Sequence, residues 1–158
     1  MVVSSRITVS LPFNNRPVAI VAAFIATAHT PRAMTHSSLE PVLRRADEIT
    51  YEAVDAAEGL EKGVLLAAEH GAPTFAIRRF TLAPGATVPK HTNDVEHEQY
   101  VLAGEYVVGI DDEEYRVEPG DSLLIPAGTV HWYRNEGEVP GAFLCAVPNG
   151  DDAIELVE

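Results

Sequence analysis

The sequence predicts an all-β fold, a sandwich or barrel within one domain. Three observations support it. From Ile49 onward, turn residues recur every 8 to 12 positions, a spacing that suits short strands around one core. β-Branched and aromatic residues fill the intervals. Helix punctuation occurs once, over residues 37–48, where Ser38 can cap and Pro41 falls in the first turn.

In chain order, "ITYEAV" (49–54) is a candidate strand and "GVLLAAEH" (63–70) a second, ended by "GAP". "TFAIRRFTLA" (74–83) is a longer strand that should stop at Pro84 and Gly85. "YVLAGEYVVGI" (100–110) reads as strand, glycine, strand. "DDEE" (111–114) turns the chain into "YRV", and "PGD" (119–121) turns it again. "SLLIP" (122–126) is an apolar run of the buried kind. After the "AG" break, "TVHWYRN" (129–135) and "GAFLCAVP" (141–148) complete the set. If "TFAIRRFTLA" is a regular strand, alternation sends either Arg78 or Arg79 inward. An inward arginine suits an anionic substrate such as a carboxylate; a bulge or strand end would let both reach water.

The 158 residues suffice for one domain with a real core. Charge is unevenly placed. All 24 acids lie at or after Glu40, and only Arg6, Arg16 and Arg32 precede Met34, so the body from Met34 sets 24 acids against 8 bases, a net of −16. Such a surface repels phosphates and anionic membranes, which excludes nucleic acid and membrane as expected partners. Lysine is scarce, only Lys62 and Lys90, and an acidic, self-repelling surface is a solubility device that halophiles use. The single cysteine, Cys145, allows no intrachain disulfide. In its apolar run it reads as a small buried hydrophobe rather than a nucleophile.

The first 33 residues stand apart. Residues 18–28 form an apolar run too short to span a bilayer. With Arg6 and Arg16 before it and "ATA" (26–28) as a cleavage site, it can be read as a signal peptide, which would imply export. Pro12 and Pro17 make a poor leader, and composition changes from basic to acidic just after Met34. The preferred expectation is a start at Met34, with residues 1–33 a non-native extension and residues 34–158 a cytoplasmic domain. A disordered tail is the third alternative.

The chemistry concentrates in two stretches. In the first, Gly85 is followed by five residues and His91, then by Asn93, His97 and Gly104. In the second, "GDSLLIPAGTVHWYRN", Gly120 is followed by five residues and Pro126, then by Gly128, His131 and Asn135. Taken singly, His131 or His97 would more often be a structural or surface histidine. Three imidazoles brought together would suit Zn, Fe, Ni or Cu and tolerate Mn. Glu98 could complete a two-histidine, one-carboxylate set, but a regular strand turns it away from His97. Asp94 and Glu96 read as solvated loop, and His29, His36 and His70 as surface.

Together the two stretches resemble the paired motifs of the cupin superfamily, over about residues 74–148. The second stretch matches at every position. The first matches in spacing but has Asn93 where a second histidine is expected and His97 where a glutamate is expected. Some small single-domain members similarly place histidine at the glutamate position and bind manganese-type ions through four histidines. The resemblance implies an antiparallel double-stranded β-helix, the jelly-roll barrel. It implies one divalent transition metal (Mn, Fe, Ni, Cu or Zn) on His91, His97 and His131. Asn93 would be a weak fourth ligand or a substrate contact. By alternation Gln99 and Val101 share the His97 face and Tyr133 the His131 face, while Trp132 points outward.

Function is less constrained. A three-ligand metal leaves open positions for a small molecule, and the resemblance implies dioxygenase, decarboxylase, isomerase or lyase chemistry there. A non-catalytic small-molecule sensor or carrier is the alternative, and a metal-free structural dimer is the third. Pairing into a homodimer is expected by resemblance, since it would cover exposed strand edges.

Overall fold

The computed structural model describes residues 39–157. Residues 1–33, with the "ATA" sequence and His29, and His36 lie outside the described residues. Within them, ten strands pair antiparallel throughout. They are β1 (Tyr51–Ala53), β2 (Glu58–Leu66), β3 (Phe75–Asn93), β4 (His97–Ala103) and β5 (Tyr106–Ile110). β6 (Glu113–Val117), β7 (Ser122–Ile125), β8 (His131–Arg134), β9 (Gly141–Pro148) and β10 (Ile154–Leu156) follow. The sheet curls on itself as a jelly roll, in the order β6-β5-β8-β3-β9-β4-β7, with β2 and β10 also on β3.

The organising element is β3. The expected stop at Pro84 and Gly85 does not occur; the chain bends there and continues as strand. Residues 75–82 pair with β9, and residues 87–91 pair with β8. The bend works because Gly85 takes φ +79°, open to glycine at little steric cost, and its N–H donates to the Asn135 carbonyl at 2.9 Å. The Asn135 amide secures the same corner. Fully buried, it donates to the carbonyls of Leu82 (3.1 Å), Ala83 (3.2 Å) and Val139 (2.9 Å) and accepts from the Gly137 N–H at 3.0 Å. Each of these bonds helps to satisfy the backbone where β3 bends.

The expected helix over 37–48 is replaced, within its described part, by a single 3-10 turn, Ala46–Glu48. Its would-be apolar side chains Leu39, Val42 and Leu43 are exposed, and a short helix without a face to bury is marginal in water. Residues 68–70, expected to extend the second strand, form another 3-10 turn, in which His70 Nδ1 accepts the Ala67 N–H at 3.1 Å. β10 has no counterpart in the sequence expectations. Among the described residues, no helix is long and apolar enough to cross a membrane.

The core lies between the curled faces, on Leu82, Val101, Tyr106, Val108, Ile125 and Phe143. Phe143 joins it to the pocket above, stacking on Phe80 (centroids 5.0 Å) and on Tyr133 (5.3 Å). Outside, Trp132 lies flat over Gly109, its partner across β5 and β8. A Cβ on Gly109 would come within 2.0 Å of the indole.

Candidate metal centre

Alternation along three strands delivers the site. His97, Gln99 and Val101 are the buried residues of β4, while Glu98 and Tyr100 face solvent, as the period of two requires. On β8, His131 and Tyr133 are buried. On β3 alternation alone would fail, because Val88 and His91 are an odd number of residues apart. A bulge corrects the phase: Val88 pairs with Tyr133 and His91 with His131, so three steps on β3 match two on β8. Pro89 lies inside this bulge, a place where a missing N–H is tolerated.

The bulge also fixes the ring it aims. The carbonyl of Pro89 lies 2.8 Å from His91 Nδ1, and the carbonyl of Thr129 lies 2.9 Å from His131 Nδ1. A carbonyl can only accept, so each Nδ1 carries the proton and each Nε2 presents a lone pair. The His91 and His131 rings lie 4.1 Å apart between centroids, and His97 and His131 lie 5.5 Å apart. The buried Nε2 atoms of His97 and His131 and the Oδ1 of Asn93 have no hydrogen-bond partner. These are the donor types a divalent transition metal takes. Among the described residues, no three His, Cys, Asp or Glu side chains already stand at ligating distance from a common point. His131 has both of the other rings as neighbours.

Asp152 lies beside His97. The sequence reading missed this residue. It lies between β9 and β10 and reaches into the barrel. Its Oδ1 accepts from Asn93 Nδ2 at 2.7 Å, its Oδ2 from Arg78 Nη1 at 2.8 Å, and Oδ2 lies 3.6 Å from His97 Nε2. No spacing motif marks it. The available signal was the inward arginine of β3, which needs a counter-charge when buried. Arg78 is that inward arginine, and Arg79 points the other way toward Tyr51. The expectation matched an inward Arg78 or Arg79 to an anionic substrate; here Arg78 holds an acid of the chain's own.

The electrostatics follow from these contacts. Burial pushes His131 down to about 4, and burial also lowers His91. Burial, the largest single influence, would lower His97 as well, but Asp152 and Cys145 together outweigh it and raise His97 to about 9. Asp152 itself, despite burial, is held well below the usual carboxylate range by His97, Arg78 and Asn93. Tyr133 is pushed up by burial and stays a neutral phenol, and its hydroxyl meets Gln99 Nε2 at 2.5 Å.

Around these groups is a pocket of about 670 Å³, open mouth included. Phe80, Phe143, Tyr133 and the buried Leu60 form part of its apolar wall, and Val54, Ile154 and Leu156 line it from more exposed positions. Cys145 is buried, as expected, and its Sγ lies 3.6 Å from Arg78 Nη2 on the wall. Of the remaining expectations, Asp94 is exposed and Glu96 half-buried outside the pocket lining. Trp132 sits on the outer face, covering Gly109 and stacking with Arg134 at 4.9 Å.

Residues 78–147 match the family model described as "Cupin domain". The chain is 30% identical over 83 residues to the tetracenomycin polyketide synthase protein TcmJ of Streptomyces glaucescens, covering 52% of this chain and 56% of that protein. It spans about half the length of the curated relatives it matches. Among solved structures it resembles the polyketide cyclase RemF of Streptomyces resistomycificus, with TM-score 0.68 and 25% identity over 74% of this chain and 87% of that one. It also resembles a predicted oxalate decarboxylase of Thermotoga maritima, with TM-score 0.60 and 26% identity over 69% and 100% of the two chains.

Proposed function

Because the chain belongs to the cupin superfamily through the domain at residues 78–147, we propose that it is a metal-dependent enzyme acting on a small organic molecule inside the barrel. One divalent transition ion (Mn, Fe, Ni, Cu or Zn) is held by His91, His97 and His131. Asn93 offers its amide oxygen as a weak fourth ligand or a substrate contact. The observation that carries this reading is the pair of fixed tautomers: the carbonyls of Pro89 and Thr129 hold Nδ1 of His91 and His131, leaving both Nε2 lone pairs free. When bound, the ion supplies Lewis acidity toward a substrate oxygen.

The chain's own side chains do the positioning. Gln99 turns an unpaired Oε1 into the buried interior, where it can accept from a substrate hydroxyl. Phe80, Phe143 and Tyr133 stack on one another and give the pocket an apolar aromatic wall. That wall, together with the names of TcmJ and RemF, supports an aromatic, oxygen-bearing substrate. It favours ring closure or isomerisation over the dioxygenase and decarboxylase alternatives. A second reading, binding without turnover, is favoured by one feature. Asp152, the acid that lines the pocket, is tied to Arg78 and Asn93, so the lining offers no free carboxylate as a general base.

Elemental analysis of untagged protein tests the site. Near one equivalent of one transition metal, lost in His97→Ala, is the expected result. Metal content unchanged by His97→Ala would overturn it. Turnover of phenolic polyketide-like compounds by the loaded protein then separates enzyme from binder.

A further inference from the structure

We propose that Arg78, with Asn93, is the recognition subsite for a carboxylate on the substrate, and that Asp152 occupies this subsite as an internal stand-in until the substrate replaces it. The proposal rests on the small-molecule reading of the pocket and names the class of molecule, an aromatic or apolar carboxylate.

Four observations carry it. First, the pocket is locally basic within an acidic chain. The whole sequence has a net charge of −13, yet Arg78 and Lys62 line the pocket against the single carboxylate of Asp152. Second, Asp152 makes the contacts a ligand carboxylate would make. One oxygen takes the Arg78 guanidinium and the other the Asn93 amide, at 2.8 and 2.7 Å. Third, Asp152 lies outside the strand ladders. It lies on residues 150–153, which join no strand, between Asn149, held by the Thr74 carbonyl, and Ile154, paired with Asn93. Fourth, Arg78 remains under-used: its buried Nε has no partner. Phe80 lies against the same group, with the Arg78 guanidinium 5.6 Å from its centroid. An apolar or aromatic acid in this pocket would meet Arg78 with its carboxylate and the apolar lining with its body.

The test is calorimetric titration of benzoate, with the neutral isostere benzamide as control, into full-length chelator-treated protein. Working without metal separates this proposal from the metal reading. Asp152→Asn keeps the shape of the stand-in but removes its charge. It should bind benzoate at least about tenfold more tightly than the parent, with benzamide unchanged. The double variant Arg78→Gln/Asp152→Asn avoids leaving a buried charge unpaired, and should lose the gain. The proposal is overturned if Asp152→Asn shows no gain, or if benzamide gains equally, or if the double variant keeps the gain. Metal content of the same proteins is read in parallel. If Asp152→Asn loses metal and gains no benzoate affinity, Asp152 is a ligand rather than a stand-in.

Discussion

His91 and His131 are cross-strand partners held in the same way, each by a hydrogen bond from its Nδ1 to the backbone carbonyl two residues earlier. A side chain that satisfies one nitrogen locally can commit the other to a ligand. The arrangement holds these two rings in one orientation, whereas His97 lies beside the Asp152 carboxylate.

That asymmetry predicts the pH behaviour of metal binding. His97 in the metal-free chain has its pKa raised to about 9 beside Asp152, while His131 is lowered to about 4. At pH 7.5, then, His97 carries a proton and His131 does not. Binding a metal should release close to one proton from His97. Calorimetry in buffers of different ionisation enthalpy measures this number. Affinity should rise with pH up to about 9, and a flat profile between 6.5 and 9 would refute the assignment.

The same groups set the stability of the metal-free protein. His97 is raised in the fold, so its contribution is complete below its unfolded value of 6.5 and fades as pH climbs through about 9. His131 is depressed, so stability falls as pH drops from 6.5 toward about 4. Asp152 is depressed too, and its contribution fades on acidification below its unfolded value of 3.8. Thermal melts should therefore be highest near neutrality. The Tm should be lower by roughly 5 °C or more at pH 10. Asp152→Asn should remove the alkaline loss.

Asn135→Ala should be severely destabilising, by about 3 kcal/mol or more, because it strands the carbonyls of Leu82, Ala83 and Val139 at the β3 bend. Urea unfolding would show a lower midpoint with an unchanged slope. A loss under 1 kcal/mol would mean that water satisfies the corner.

Gly109→Ala should force Trp132 off β5, costing roughly 1–3 kcal/mol. The protein has one tryptophan, so its emission reports the displacement directly as a red shift. In a Trp132→Ala background the same glycine change should cost markedly less, since the clash is with the indole itself.

Much of this site is legible in the sequence. Strict alternation places His97, Gln99 and Val101 on one face, and the structure agrees. The inward arginine follows from the same rule. What escapes is anything that breaks period two or lies outside it. The phase of His91 depends on a bulge at Pro89, which a proline signals without specifying. The continuation of β3 through Pro84 and Gly85 depends on partners over fifty residues away, Asn135 above all. Asp152 sits on a short span with no periodicity, so only its long-range pairing with Arg78 reveals it.

β3 has a further consequence, for the order of events as the chain folds. It is hydrogen-bonded to β2, β8, β9 and β10, partners from both ends of the described sequence. Loop-closure entropy must be met for most of these pairings before any of them is secure. Such a topology folds slowly for its size, with a transition state that gathers distant segments at once. The corner at Gly85 joins both halves of the barrel, so neither half has an independent nucleus. Refolding should be a single slow phase, and a mutation at that corner should slow folding more than it speeds unfolding.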